Sequence, residues 1–148
     1  MHRLDEIDGK ILACLGRNGR ATFQEIGAEV NLSAPAAKRR VDRLVATGAI
    51  QGFTAVVDPA AIGWRTEAYV QVFCRGTVAP ELLASAWEDI PEVVSAATVT
   101  GAPDAILRVV ATDVQHLERA LERIRRSANV DHSESTIVLS RLIERGRV

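Results

Sequence analysis

Residues 31–44, "NLSAPAAKRRVDRL", decide the fold of the N-terminal third of the chain. Ser33 is a favoured N-cap residue, and Pro35 suits the first turn of a helix, where its missing N–H needs no partner. Apolar residues then recur at helical spacing, at Ala37, Val41 and Leu44. The stretch therefore predicts a short helix with one buried face, preceded by a tight turn at Asn31, a residue that tolerates left-handed backbone.

Two further helices are predicted upstream. The first carries a helical apolar stripe, interrupted by Gly9, made of Leu4, Ile7, Ile11 and Leu15. The second begins at Thr22, with Glu25 three residues later, the pattern of a capping box. Because only about three residues separate it from the helix after Ser33, the segment predicts a helix-turn-helix.

The third helix also gathers cations: Lys38, Arg39, Arg40 and Arg43. A helix N-terminus is partly positive, and added cations make a surface suited to a polyanion. The alternative, a solvated helix face, is less favoured in a three-helix context. The residues expected to contact DNA are those at the N-terminus of this helix and its four cations: Ser33, Ala34, Pro35, Lys38, Arg39, Arg40 and Arg43. Arg40 shares a side with Ala37 and Leu44, so it either braces the fold or reaches a phosphate.

The distribution of charge along the chain is consistent with a DNA partner for the N-terminal segment. Residues 1–50 hold eight Lys or Arg and six Asp or Glu, although the whole chain has a net charge of −1. Cys14 and Cys74 are expected to be buried free thiols, as in a reducing compartment. No apolar run approaches the roughly 18 residues of a membrane span, and no signal-peptide core is evident at the N-terminus. A cytoplasmic location without membrane association is therefore expected.

The second half predicts strand, helix, strand, strand, helix and strand in that order, from "TEAYVQVFC" (66–74) to a final alternating strand beginning near residue 130. This βαββαβ order is ferredoxin-like. The predicted fold class is α+β: a winged helix-turn-helix in residues 1–50, a strand or wing with a linker in 51–65, and a ferredoxin-like domain in 66–148.

The first and third strands carry apolar residues on both faces, whereas two helices can cover only one face. We therefore expect face-to-face pairing of two copies. The candidates for the shared face are Tyr69, Phe73, Ile106 and Val110. The sequence leaves open which face the helices cover, so the opposite set is an alternative.

These motifs together resemble the Lrp/AsnC ("feast-or-famine") family of transcriptional regulators, of which the chain is identified as a member. The resemblance rests on "LDEIDGKILACL", "GRATFQEIGAEVNLS", "RRVDRLVATGAIQGFTAVVDPAAIG" and "VTGAPDAILRVVA". It implies a winged helix-turn-helix joined to a small-molecule-binding sheet domain of the RAM type, named for the regulation of amino-acid metabolism. It also implies dimers that assemble further, commonly to octamers, and no cofactor other than an amino-acid effector.

Carried onto this chain, the family's effector turn matches Gly101 and Asp104. Free N–H groups in such a turn can bind a carboxylate, while Asp104 can accept from an ammonium. The expected effector residues are those of this turn together with hydroxyls of the last strand, which we expect a neighbouring subunit to supply: Thr100, Gly101, Ala102, Pro103, Asp104, Ser133, Ser135 and Thr136. Because Ala102 and Pro103 offer no charge, an uncharged apolar or aromatic amino acid is favoured. A plain hairpin turn is the structural alternative.

Two functions of other classes are disfavoured. An enzyme is disfavoured because His2, His116 and His132 are scattered, without catalytic or metal-binding spacing. RNA binding through the sheet is disfavoured because "DAILRVVA" has no aromatic residue on which a base could stack. A DNA-organising protein of the same fold, insensitive to effectors, remains the alternative. For a dimeric regulator, an imperfect palindromic operator is expected, read largely through thymine methyls and DNA shape.

Overall fold

The computed structural model describes residues 4–127 and 129–143. They form two compact units, a first that holds the described residues up to Val56 together with Ile143, and a second that spans Val57–Leu142. His2, whose spacing from His116 and His132 argues against an enzyme, lies outside the described residues. No helix in the described part of the chain is long and apolar enough to cross a bilayer.

The first unit contains three helices: α1 (Glu6–Arg17), α2 (Phe23–Val30) and α3 (Ala34–Ala46). Side-chain caps begin all three. Asp5 and Asp8 form a capping box at α1, Thr22 and Glu25 form one at α2, and Ser33 caps α3. The predicted N-caps at Thr22 and Ser33 are confirmed. The core is the set of apolar residues that face one another: Ile11, Cys14, Ile26, Val30, Ala37, Val41 and Leu44.

The turn between α2 and α3 depends on two backbone features. Asn31 takes left-handed backbone, with φ of 57°, as the sequence predicts. Gly27 in α2 lies so close to the turn that an added Cβ would be 2.4 Å from the Leu32 carbonyl oxygen. Only a residue without a side chain allows that approach, which sets how closely α3 follows α2.

The structure has no strand between Gln51 and Asp58, where the alternating sequence predicts a strand or wing. A strand needs a hydrogen-bonded neighbour, and none of the described strands pairs with this segment. Its residues are exposed, and a short 3₁₀ turn, Pro59–Ile62, follows it.

The second unit confirms the predicted βαββαβ order. Its elements are β1 (Thr66–Cys74), α4 (Pro80–Trp87), β2 (Val93–Thr98), β3 (Ala105–Ala111), α5 (Val114–Arg125) and β4 (Val130–Ile137). The sheet order is β2-β3-β1-β4, and every neighbouring pair is antiparallel. The α+β fold class is confirmed.

Helices α4 and α5 cover the sheet face that carries Val70, Val72 and Leu107, which pack with Leu83 and Ile124. This answers the question that the sequence leaves open. The opposite face, which we call the open face, carries four residues of β1 and three of β3: Glu67, Tyr69, Gln71, Phe73, Ile106, Arg108 and Val110.

The open face is more polar than the apolar pattern of its strands predicts. Tyr69 is 44% exposed, but Val110 is only 5% exposed and offers little apolar surface. Arg108 Nε donates to Glu67 at 2.6 Å, so a salt bridge lies among the apolar residues of this face.

Candidate nucleic-acid interface and effector site

The N-terminus of α3 presents polar and small groups to solvent. Ser33 and Pro35 are exposed and Ala34 is half-buried. The Ser33 hydroxyl accepts from the Ala36 N–H at 3.4 Å, and Pro35 lies in the first turn. The partly positive end of the helix is therefore open to an anion.

Two of the four cations point away from the core. Lys38 and Arg39 are both exposed. Lys38 Nζ lies 2.6 Å from an Asp42 carboxylate oxygen and 6.0 Å from the centre of the Phe23 ring. Arg39 has no partner among the residues that the structure describes. We call the set Ser33, Ala34, Pro35, Lys38 and Arg39 the outer face of α3.

The other two cations turn towards α1 and meet at one carboxylate. Arg40 Nη1 donates to Asp8 Oδ1 at 2.8 Å and to Asp5 Oδ2 at 2.7 Å. Arg43 Nη2 donates to both oxygens of Asp8, each at 2.7 Å. We call Asp8, Arg40 and Arg43 the Asp8 cluster. Of the two roles that the sequence allows for Arg40, the structure shows the bracing contact.

Asp8 is charged although it is only 1% exposed. Burial opposes ionisation, but hydrogen bonds from Arg40 and from the Asp5 N–H, with the charge of Arg43, outweigh it and hold the pKa of Asp8 below its usual value. Asp8 was not among the site residues predicted from sequence. Its position in the sequence could have predicted a buried carboxylate, since Asp8 lies on the same helical stripe as Ile11 and Leu15. It is also three residues after the capping residue Asp5.

The turn between β2 and β3 has the backbone that the effector hypothesis requires. Gly101 has φ of 125°, and an added Cβ there would meet no atom within 4 Å. Thr100, Gly101 and Ala102 are exposed, and Pro103 is half-buried. The turn is therefore an accessible backbone surface with one position that favours glycine.

Asp104 has a structural contact of its own. Its Oδ2 accepts from the Cys74 N–H at 2.7 Å, while its backbone N–H donates to the Val72 carbonyl at 2.9 Å. Asp104 thus fixes the turn to the end of β1. The second carboxylate oxygen has no partner among the described residues, and Asp104 as a whole is exposed.

The three hydroxyls of β4 do not converge within one chain. Ser133 and Ser135 pair with Val72 and Val70 on the helix-covered face, whereas Thr136 pairs with Tyr69 on the open face. Ser133 Oγ also accepts from Arg125 Nε at 2.9 Å. Because neighbouring strand residues point to opposite faces, the three hydroxyls lie on two sides of the sheet within one chain, and their contribution from a neighbouring subunit stays a prediction.

The remaining titratable groups form no metal centre. No group of three or more His, Cys, Asp or Glu in the described part of the chain could hold a metal ion. His116 Nε2 lies 2.8 Å from Glu92, and the His132 ring stacks on Phe73. Cys14 is buried as expected, whereas Cys74 is only half-buried; both are free thiols.

Family models match both units. The AsnC-type helix-turn-helix domain matches residues 4–45, which include α1, α2 and nearly all of α3. The Lrp/AsnC ligand-binding domain matches residues 67–148.

Individual proteins agree with these matches. The chain is 65% identical to the HTH-type transcriptional regulator Rv2324 of Mycobacterium tuberculosis, over 98% of each protein. It is 34% identical, with a TM-score of 0.90 over 96% of both chains, to the feast or famine regulatory protein Rv3291c of M. tuberculosis, solved in complex with L-methionine. The Neisseria meningitidis transcriptional regulator NMB0573, also in complex with L-methionine, gives a TM-score of 0.89 at 29% identity, over 97% of this chain and 94% of that one. The chain therefore belongs to the Lrp/AsnC family of helix-turn-helix transcriptional regulators.

Proposed function

We propose that this regulator binds specific double-stranded DNA through the outer face of α3 and is controlled by an amino acid bound at the turn 99–104. The observation that carries the proposal is the exposed N-terminus of α3, followed by Lys38 and Arg39, whose side chains both lie in solvent. Together these positive groups match the charge pattern of a DNA phosphate backbone.

On the outer face, Lys38 and Arg39 are proposed to bind phosphates, and Ser33, Ala34 and Pro35 to lie close to base edges. Ala34 offers only a methyl group, so sequence preference depends on thymine methyls and on DNA shape. A two-fold dimer then selects an imperfect palindrome with half-sites about one helical turn apart, or a multiple of it.

The proposed effector is an uncharged amino acid. The exposed backbone of Thr100, Gly101 and Ala102 supplies N–H groups for its carboxylate, and the second oxygen of Asp104 supplies an acceptor for its ammonium. The two relatives solved with L-methionine support an amino acid of this class. Asp104 then has two roles, fixing the turn to β1 and binding the ligand. Of the hydroxyls, Thr136 on one face and Ser133 with Ser135 on the other can contribute only from different sides of the sheet.

The open face is proposed as the dimer surface, with Tyr69, Phe73 and Ile106 as its apolar contacts and Val110 as a minor one. Exposed Tyr69 and half-exposed Ile106 leave apolar area that a second copy can cover. Further assembly to an octamer would place neighbouring copies near one another's effector turns. Occupancy of the site then biases assembly by differential affinity.

The test uses the full chain and double-stranded DNA from upstream of its own coding region. Anisotropy titrations are run with and without each of the twenty amino acids, and calorimetry measures ligand affinity directly. Asp104→Asn keeps an oxygen for the Cys74 N–H but removes the charge, and Glu118→Ala, exposed on α5, is the matched control. We expect at least tenfold weaker ligand binding for Asp104→Asn and unchanged ligand binding for the control.

Equal ligand affinity in wild type and Asp104→Asn would remove Asp104 from the ammonium site. Specific DNA binding that no amino acid changes would instead favour the second candidate, a DNA-organising protein insensitive to effectors. Absence of specific DNA binding contradicts the proposal as a whole.

A further inference from the structure

Helix α3 carries four cations, and the structure divides them into two pairs with different surroundings. Lys38 and Arg39 are exposed on the outer face, whereas Arg40 and Arg43 both donate to the buried Asp8. The division is not visible in the charge run itself, because Asp8 is more than thirty positions upstream.

The hydrogen bonds of Asp8 are nearly complete. Its two oxygens accept from Arg40 Nη1, from Arg43 Nη2 and from the Asp5 N–H. Each arginine is on α3 and the carboxylate is on α1, so the cluster joins the two helices at a fixed separation. Arg43 Nε is buried with no hydrogen-bond partner in the described residues, although the Arg43 side chain as a whole is 38% exposed.

We propose that Asp8 is a positioning residue for DNA binding, which holds α3 through Arg40 and Arg43 and leaves phosphate contact to Lys38 and Arg39. The inference rests on the proposed DNA-binding function and specifies which cations carry it. Arg40 and Arg43 then act on DNA affinity through the orientation of α3, and not by touching the nucleic acid.

A second acid, on α3 itself, gives a matched comparison. Asp42 is exposed and forms an ion pair with Lys38, at 2.6 Å. Its charge repels phosphates and competes with them for Lys38. Removing a negative charge from a DNA-binding surface normally strengthens binding. Asp42→Asn should follow that rule, and Asp8→Asn should do the opposite.

The experiment measures the affinity of the full chain for its own upstream DNA at several salt concentrations. The slope of log K against log salt falls by about 0.9 for each phosphate that the protein no longer neutralises. Arg39→Gln should weaken binding and lower the slope. Arg40→Gln and Arg43→Gln should weaken binding at an unchanged slope. Asp8→Asn should weaken it at least tenfold with the wild-type slope, while Asp42→Asn should strengthen it.

Folding is controlled by circular dichroism, and affinity is compared only well below the melting temperature of each variant. If Asp8→Asn lowers the melting temperature but leaves the affinity unchanged, Asp8 has a merely structural role and the proposal is wrong. A slope that falls as much in Arg43→Gln as in Arg39→Gln also overturns it, because Arg43 then contacts phosphate. If Asp8→Asn does not fold, the salt slopes of Arg40→Gln and Arg43→Gln test the proposal in its place.

Failure of the proposed function gives a different result. If the wild-type chain binds no DNA at any salt concentration, the assignment of the outer face to DNA fails before any variant is compared. If the wild type binds and the Asp8, Arg40 and Arg43 variants match it in affinity, only the positioning role fails.

Discussion

The two units each contain a buried carboxylate that meets two basic side chains of one helix. In the first unit Asp8, 1% exposed, accepts from Arg40 and Arg43 of α3. In the second unit Glu92, 6% exposed, contacts His116 Nε2 at 2.8 Å and accepts from Arg123 Nη1 at 3.1 Å, both on α5. The chemistry is similar, but the surroundings differ.

The first unit has three short helices and no sheet among its described residues, so a few contacts fix the position of α3. In the second unit, three antiparallel strand pairings already fix the backbone against which α5 packs. The ion cluster should therefore contribute more to stability in the first unit, where fewer other contacts hold the helix in place. We expect single substitutions to have larger effects in the first unit.

The largest effect is expected at Asp8. Asp8→Asn removes the buried charge that Arg40 and Arg43 share, although Arg40 keeps its ion pair with Asp5, and should cost about 3 kcal/mol of unfolding free energy. Glu92→Gln should cost less, about 1–2 kcal/mol, because Arg123, 47% exposed, turns to water more easily than Arg43 at 38% or Arg40 at 24%. Chemical denaturation of the two variants measures both values. A larger decrease for Glu92→Gln would contradict the comparison of the two units.

The close approach at Gly27 should give the next largest effect. Gly27→Ala places a Cβ 2.4 Å from the Leu32 carbonyl oxygen, so the turn before α3 must shift, at a cost of about 2 kcal/mol. Gly9→Ala is the matched control in α1, since an added Cβ meets nothing within 4 Å there. It should stabilise the unit by up to about 1 kcal/mol through helix propensity. Thermal melts that show similar shifts for both variants would remove the steric argument.

Acid should act on the two carboxylates at different pH. Burial opposes ionisation of Glu92, but the hydrogen bond from His116 and the charge of Arg123 hold its pKa below the ordinary 4.5. Its stabilising contribution is therefore complete above about pH 4.5 and is lost as pH falls through the lower folded-state pKa. For Asp8 the same decrease begins lower, because its pKa is held below an ordinary value of 3.8.

Melting temperatures between pH 3 and pH 6 measure this dependence. Glu92→Gln should flatten the part of the curve just below pH 4.5, because the variant has no carboxylate there to protonate. If the melting temperature of that variant falls with pH as steeply as that of the wild type, Glu92 contributes nothing to the acid sensitivity.

The smallest effect concerns helix capping, in which the units also differ. All three helices of the first unit have side-chain caps, and so does α5, at Asp113, whereas α4 begins after Ala79, which makes no capping hydrogen bond. Ala79 has extended backbone suited to an N-cap, so Ala79→Asp should stabilise the second unit by about 0.5–1 kcal/mol. Calorimetric melting tests this, with destabilisation as the contrary result.

Local patterns made much of the fold predictable from sequence. The capping box at Thr22, the turn at Asn31 and the strand limits of β1 depend on neighbouring residues, and the structure agrees with each. Residues 51–58 form no strand within the single chain, because alternation alone does not supply a pairing partner. Strand pairing is a property of the whole sheet.

The site was less predictable for the same reason. The charge run at 38–43 indicated a cationic helix. The separation of its cations into an exposed pair and a pair bound to Asp8 depends on contacts across more than thirty residues. Ser135 and Thr136 are adjacent in sequence, but neighbouring residues of a strand face opposite ways, so their hydroxyls lie on different sides of the sheet. Contacts between distant segments, and the side to which a strand residue points, both require the assembled fold.

The central claim, that the outer face of α3 binds DNA while the Asp8 cluster does not, is tested most directly by arginine modification. The full chain is treated with phenylglyoxal, with and without its upstream DNA, and modified arginines are quantified by mass spectrometry. Arg39 should react rapidly in the free protein and be protected by DNA, whereas the reactivity of Arg40 and Arg43 should be the same with and without DNA. Equal reactivity of Arg39 with and without bound DNA would contradict the account.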